Sequence, residues 1–392
     1  DFKKRKKIFT RSWQMDFSCY LIKMIKSWDY QNEYTYLKKD ILKSIDRVLK
    51  SGTLFFGNEL NKFEKKFLKT NNSKYGIAVA SGTDAIYLSL KALDIGPNDE
   101  VITVANTAIP TVSAIRNTGA SVKFIDTRSD YLMDPNKLEK ALSKKTKIII
   151  PVHLYGQSCE MDKILKIANK YKIKVIEDCA QAQGAIYDKK RVGNMGITGC
   201  FSFYPTKILG AYGDGGFITT NNKKIYQKLR RLRFYGMEQI NPKKWWNNKY
   251  FAVENGTNSR LSEIQAAILN IKIKYLKRSI NRRREIAKMY NNGIKNKNII
   301  KPLQNKNNFH VYHLYVVAHE NRKSILTKMK KNNINLGIQY PYPLHKMNAY
   351  KNATFKNLNN TENLTKKIFS LPTYPSIENY KIKKIIEILN KA

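Results

Sequence analysis

A chain of 392 residues with 72 Lys and Arg against 30 Asp and Glu carries a formal net charge of +42 and is long enough for a large buried core and two or three domains. So basic a surface suits anionic ligands, yet its lysines are spread among Ile and Asn without zinc-finger spacing or a recognition-helix pattern, which disfavours a dedicated nucleic-acid role. No secretory hydrophobic segment or membrane span is legible, and Cys19, Cys159, Cys179 and Cys200 lack metal-ligand spacing, so reduced thiols, no metal and a cytoplasmic location are expected.

In chain order, the first feature is the basic run Lys3-Lys4-Arg5-Lys6-Lys7. Residues 1–23 are expected to form a disordered, dispensable extension, the alternative being a membrane-surface or nucleic-acid arm. Gly76 to Ala80 then reads as a strand, followed by the small-residue turn Ser81-Gly82-Thr83-Asp84 and a helical rhythm from Ala85 to Leu93. A turn of that kind opening a helix offers free backbone N–H groups and a positive dipole end to a phosphate, although Ser-Gly-Thr is also an ordinary capping turn. A helical stretch from Asp162 to Tyr171 leads into the buried strand Lys174–Glu177 and then Asp178. Functional groups collect at the carboxyl edge of open α/β sheets, so Asp178 is placed to meet a ligand; capping a following helix is the plainer role.

The run from Phe201 to Gly216 holds the most telling residue, Lys207, between an apolar strand and a glycine-rich loop, five residues after Ser202. A lysine becomes a nucleophile when its surroundings lower its pKa, and this is the setting of one that forms an imine with an aldehyde cofactor rather than of a solvated surface amine. The alternation of strands and helices from Gly76 to Phe217 predicts an α/β domain with a mostly parallel sheet. From Arg260 the rhythm becomes a long helix, with Leu261, Ile264, Ile268, Ile271 and Leu276 near one face. The expected domains are residues 24–260, a large cofactor-binding unit with an N-terminal arm, and residues 261–392, a smaller C-terminal α/β unit.

Several segments occur together in one order: Ala80-Ser81-Gly82-Thr83-Asp84-Ala85, Pro151-Val152-His153-Leu154-Tyr155-Gly156-Gln157, Glu177-Asp178-Cys179-Ala180-Gln181-Ala182 and Ser202 to Gly216. Asn258-Ser259-Arg260-Leu261, Tyr340-Pro341-Tyr342-Pro343-Leu344-His345 and Ser370 to Pro375 continue the series. From about Trp28 to the C-terminus the chain resembles the DegT/StrS family of pyridoxal-phosphate-dependent nucleotide-sugar aminotransferases, which have the fold-type-I architecture. The resemblance implies Lys207 as the imine-forming lysine, Asp178 as the partner of the cofactor's pyridinium, and Gln181 near its ring hydroxyl. It further implies Gly82, Thr83 and Ser202 at the phosphate, with Asn258 reaching the phosphate of a partner subunit, so that a homodimer shares its active sites. Tyr155 is a candidate for the pocket wall, or else a core tyrosine. His345 is expected near the sugar, or else is an indifferent loop residue. Ala108 departs from the family, where many members have an aromatic stacked on the cofactor ring; alanine cannot stack.

What the resemblance implies for the reaction is transfer of an amino group from glutamate to a nucleotide-linked keto sugar, for a surface glycan or a related pathway. Lysine at 207 favours transamination over the related dehydratases, which carry histidine there. The segments Arg233–Glu238 and Tyr340–Met347 look closest to members that aminate dTDP-3-keto-6-deoxyhexoses. A 4-keto sugar linked to dTDP or UDP is the alternative, and a catalytically silent, cofactor-binding regulator the second.

Overall fold

The computed structural model describes residues 24–238 and 250–392; the basic stretch before Met24, with the extension expected there, lies outside them. The N-terminal part carries helices α1 (Gln31–Lys50), α2 (Asn58–Asn71), α3 (Gly82–Ala92), α4 (Ile109–Arg116), α5 (Pro135–Ala141), α6 (Met161–Lys170) and α7 (Lys223–Leu232). Strands β1 (Tyr75–Val79), β2 (Glu100–Val104), β3 (Ser121–Ile125), β4 (Thr146–Ile149), β5 (Lys174–Asp178), β6 (Ile186–Tyr187), β7 (Lys190–Arg191), β8 (Thr198–Ser202) and β9 (Gly216–Thr220) alternate with them. The C-terminal part adds α8 (Glu263–Lys272), α9 (Leu276–Gly293), β10 (Asn308–Phe309), β11 (Tyr315–Ala318), α10 (Arg322–Lys331), β12 (Thr354–Phe355), α11 (Asn359–Lys367), β13 (Ile368–Leu371) and α12 (Asn379–Asn390).

The central sheet has eight strands in the order β1-β9-β8-β5-β4-β2-β3-β12. Only β9 runs antiparallel, pairing β1 on one side and β8 on the other. The expected mostly parallel α/β sheet is therefore present. Its strands read as near-continuous apolar runs because helices cover both faces. On one face α3 and α4 pack Leu88, Leu90, Val112 and Ile115 against Ile77, Val101 and Ile218. On the other, α2 sets Phe63 and Phe67 against Phe201, Phe203 and Phe217, with the Phe67 and Phe217 ring centroids 4.6 Å apart.

The long helix expected from Arg260 is two helices, α8 and α9, joined by a 3-10 turn at Ile273–Tyr275. The first packs Ala266 and Leu269 with Phe63 and Phe67 of the large unit. The second packs Ile286 and Tyr290 with Tyr315 and Phe369 of the two-stranded β11-β13 sheet. A change of neighbours along one helical rhythm is invisible to periodicity, which records that a face is buried and not against what. The expected boundary at 260/261 is also crossed in both directions. Ile25 bridges Ile334 and lies in the C-terminal cluster, while Leu344 and Leu358 join the large unit's core and β12 pairs with β3.

Candidate active site

Strand register brings the predicted residues to one edge of the sheet. β5 and β8 run parallel with Asp178 opposite Cys200, and β8 meets β9 with Ser202 opposite Gly216. Gly216 also faces Val79, the last residue of β1. The ends of β1, β5 and β8 thus lie together, and the turn at Ser81–Thr83, Asp178 and Ser202 follow from them.

The turn is built as a helix N-terminus. Ser81 is extended and its hydroxyl accepts the Asp84 N–H at 3.1 Å, so α3 opens at Gly82, three residues before the expected Ala85. A side chain at Gly82 has no room, because a Cβ there would lie 2.7 Å from the Ser202 Cβ. Ser202 is thereby held against the first turn of α3, where N–H groups are free of helical partners. Behind them the Ser259 hydroxyl donates to Asp84 at 2.7 Å and accepts the Ala80 N–H at 3.0 Å.

Asp178 is buried as the last residue of β5, and no helix follows it to be capped. One carboxylate oxygen accepts the Ala180 N–H at 3.1 Å and the other the Thr111 hydroxyl at 2.8 Å. Burial raises its pKa, outweighing those two bonds and the nearby Lys207 and His153. Lys207 shifts the opposite way. Its side chain keeps some exposure, yet the protein packed around its amino group lowers its pKa to about 8, only partly offset by Asp178. Burial penalises the charged form of each, which moves the two pKa values toward one another.

Gln181 is oriented from both ends: its carbonyl oxygen accepts the Tyr155 N–H at 2.9 Å, and its amide donates to the Tyr340 hydroxyl at 2.9 Å. Tyr155 is buried, stacked edge-on to Tyr131 with ring centroids 5.4 Å apart, and its hydroxyl donates to the Gln339 carbonyl. His345 is buried, with Nε2 2.9 Å from Glu362, its ring against Phe355, and no partner for Nδ1 among the described residues. The Leu344 N–H, donating to the Ala105 carbonyl at 3.0 Å, ties its loop to the segment after β2. Ala108 is the residue before α4, the helix that supplies Thr111. Asn258 is not gathered in; it is exposed, with its backbone paired to Phe234.

Three neighbours of this site were not assigned roles from the sequence. Thr111 holds Asp178, Tyr340 holds Gln181, and burial, joined by the nearby Lys207 and Arg283, drives the pKa of His313 well below the usual imidazole value. Tyr340 stands within a segment that carries the resemblance, and Thr111 beside the departing Ala108, but the side-chain directions of both come from the fold. His313 has no such signal, because a histidine among apolar residues reads equally as core.

Residues 35–390 match the model of the DegT/DnrJ/EryC1/StrS aminotransferase family. The chain belongs to that family. It is accordingly an aminotransferase. Among relatives, it is 40% identical over 373 residues to the dTDP-3-amino-3,4,6-trideoxy-alpha-D-glucose transaminase of Micromonospora megalomicea subsp. nigra, covering 93% of this chain and 98% of that one. It is 42% identical over 355 residues to the dTDP-3-amino-3,6-dideoxy-alpha-D-galactopyranose transaminase of Aneurinibacillus thermoaerophilus, covering 90% and 95%. Among solved structures, S. venezuelae DesV in complex with a ketimine intermediate superposes with a TM-score of 0.89 at 34% identity, covering 94% of this chain and 98% of that one. Among the described residues of this family member, no helix is long and apolar enough to cross a membrane.

Proposed function

We propose that this aminotransferase moves the amino group of glutamate to carbon 3 of a dTDP-linked 3-keto-6-deoxyhexose, using pyridoxal phosphate held at the edge of β1, β5 and β8. The observation that carries the reading is the pairing of Lys207, its amine lowered to about 8, with the buried Asp178. The donor set fits this cofactor. A buried carboxyl that is short of a cation suits a protonated ring nitrogen, and the crowded Gly82–Ser202 contact beside a helix N-terminus suits a phosphate.

When bound, pyridoxal phosphate supplies an aldehyde carbon that carries the amino group and a ring that takes up carbanion charge. The chain's residues do the rest. Lys207, in the free-amine fraction that a pKa of about 8 allows, would take a proton from the donor's α-carbon and return it to the cofactor's aldehyde carbon on the other side of the nitrogen. Asp178 keeps the proton on the ring nitrogen, and Thr111 fixes the carboxylate that does so. Gly82, Thr83 and Ser202 would bind the phosphate, with Gln181 at the ring hydroxyl, Tyr155 at the pocket wall and His345 near the sugar.

The substrate's nucleotide is anionic, and a cavity of about 880 Å³ beside Lys207 suits it. Its walls carry seven Lys and Arg against three Asp and Glu, with Trp28, Tyr30 and Tyr275 available to stack on a base. A homodimer with shared sites is supported by the exposed side chains of Leu54, Phe55, Phe56, Tyr235 and Phe251, of which Phe56 meets Phe234, the backbone partner of the exposed Asn258. An apolar set of that kind is what a partner subunit covers. The transaminases named above, whose products carry the amino group at carbon 3 of a dTDP sugar, favour that position over carbon 4. The test is incubation with glutamate and a panel of 3-keto and 4-keto sugars linked to dTDP or UDP, read by product mass. Amination of the 3-keto dTDP sugars alone supports the proposal. Amination of 4-keto sugars alone moves the position, and none at all, with no colour change on adding glutamate, points to a silent regulator.

A further inference from the structure

The fully buried pair His153 and Glu177 has no part in the reaction as described, yet it adjoins two residues of the cofactor site. His153, Glu177 and Cys179 bring potential ligand atoms within 4.8 Å of one another, an arrangement that invites a metal reading. The hydrogen bonds argue otherwise. The Nδ1 atom of His153 accepts the Cys159 N–H at 3.1 Å, so the ring proton sits on Nε2 and is donated to Glu177 at 3.0 Å. Glu177 also accepts three backbone N–H groups, from Gly193 at 2.8 Å and from Met195 and Gly196 at 2.7 Å. Both ring nitrogens and both carboxylate oxygens are occupied.

What the pair joins is three segments: the loop after β4, the end of β5 and the turn before β8. The loop then serves the site twice. The His153 backbone N–H donates to the Asp178 carbonyl at 3.0 Å, and the Tyr155 N–H donates to the Gln181 side chain at 2.9 Å. Between them the chain passes through a left-handed conformation at Tyr155 (φ 58°), which a β-carbon makes costly and which the surroundings must hold.

We infer that the His153–Glu177 bond is a positioning device. By fixing the register of the 153–155 loop on β5, it places Asp178 and Gln181 together for the cofactor's ring. Neither His153 nor Glu177 is assigned contact with cofactor or substrate.

The inference rests on the proposed cofactor site, and the experiment separates the two. Cofactor-free wild type, His153→Leu and His153→Gln are titrated with pyridoxal phosphate, following visible absorption, and each is melted without cofactor. Glutamine keeps a donor near the Nε2 position, whereas leucine has none. The leucine variant should bind pyridoxal phosphate about tenfold or more weakly and show a displaced pH midpoint of its visible band, and the glutamine variant should recover most of both, as outer-shell partners commonly do. A leucine variant with wild-type affinity and midpoint, even if it melts earlier, overturns the inference by making the bond merely structural. If the leucine variant does not fold, Glu177→Gln serves: it turns one acceptor into a donor facing a backbone N–H, and wild-type cofactor affinity there overturns the inference equally. A wild type that binds no pyridoxal phosphate defeats the cofactor site instead.

Discussion

At the scale of residues, the proposed function turns on how burial shifts the pKa values of Lys207 and Asp178. With Lys207 lowered to about 8, most of the population is protonated at pH 7 and little at pH 9. Capture of pyridoxal phosphate by the cofactor-free protein should therefore speed up with pH through about 8, as stopped-flow absorption can show. Stability follows the same linkage. The unfolded chain, with Lys207 near its ordinary value of 10.5, binds more protons between about 8 and 10.5 than the folded one. Cofactor-free protein thus gains stability as pH rises across that window, an increment that Lys207→Ala should lack in melting experiments. The same variant should lower turnover by roughly 10³-fold or more while folding normally. Asp178→Asn, which keeps the shape and removes the charge, should cost about 10²–10³-fold in turnover. Both residues were legible in the sequence because local context announces them, a strand end for one and a glycine-rich loop for the other. Thr111 and Tyr340 were not, since their roles depend on where strands 67 and 159 residues away deliver Asp178 and Gln181.

At the scale of elements, the periodic segments were readable, as was the local Ser81 cap, whereas a cap supplied from elsewhere in the chain was not. Lys174–Glu177 and the helix from Asp162 follow from apolar spacing, and the observed elements differ from them by one residue at the ends. The start of α2 shows the limit. It has no side-chain cap of its own; the buried carboxylate of Glu263, more than 200 positions away, accepts the N–H groups of Gly57 and Glu59 at 2.8 Å and of Leu60 at 3.1 Å. A negative group at a helix N-terminus is favourable in any case, and here it satisfies three donors that would otherwise be left unpaired. Glu263→Ala should lower stability to denaturant by about 2–4 kcal/mol, and Glu263→Gln by less. A glutamine variant that melts like wild type would show that the charge contributes nothing. The turn at Gly82 gives a second check: Gly82→Ala pushes a methyl into Ser202 and should weaken cofactor binding more than it lowers the melting temperature.

At the scale of the whole molecule, the fold class and the edge of the sheet that carries the site were both implied by the order of motifs. Ile25 and the segment around Leu344 and Leu358 pack across the expected 260/261 boundary, contacts that leave no compositional mark. Asn258, exposed on the single chain, belongs to the same scale. If it serves a partner's site, mixing Lys207→Ala with Asn258→Ala chains should regenerate one intact site per mixed dimer, or about a quarter of wild-type activity after random exchange. Activity no higher than that of the separate variants would place Asn258 in its own subunit's site or outside any site. The most direct measurement of the central claim is transfer of nitrogen from ¹⁵N-labelled glutamate to a dTDP-3-keto-6-deoxyhexose, followed by mass. Label in the sugar product with wild type, and none with Lys207→Ala, is the expected result; unlabelled sugar with wild type, or equal labelling by both proteins, would contradict it.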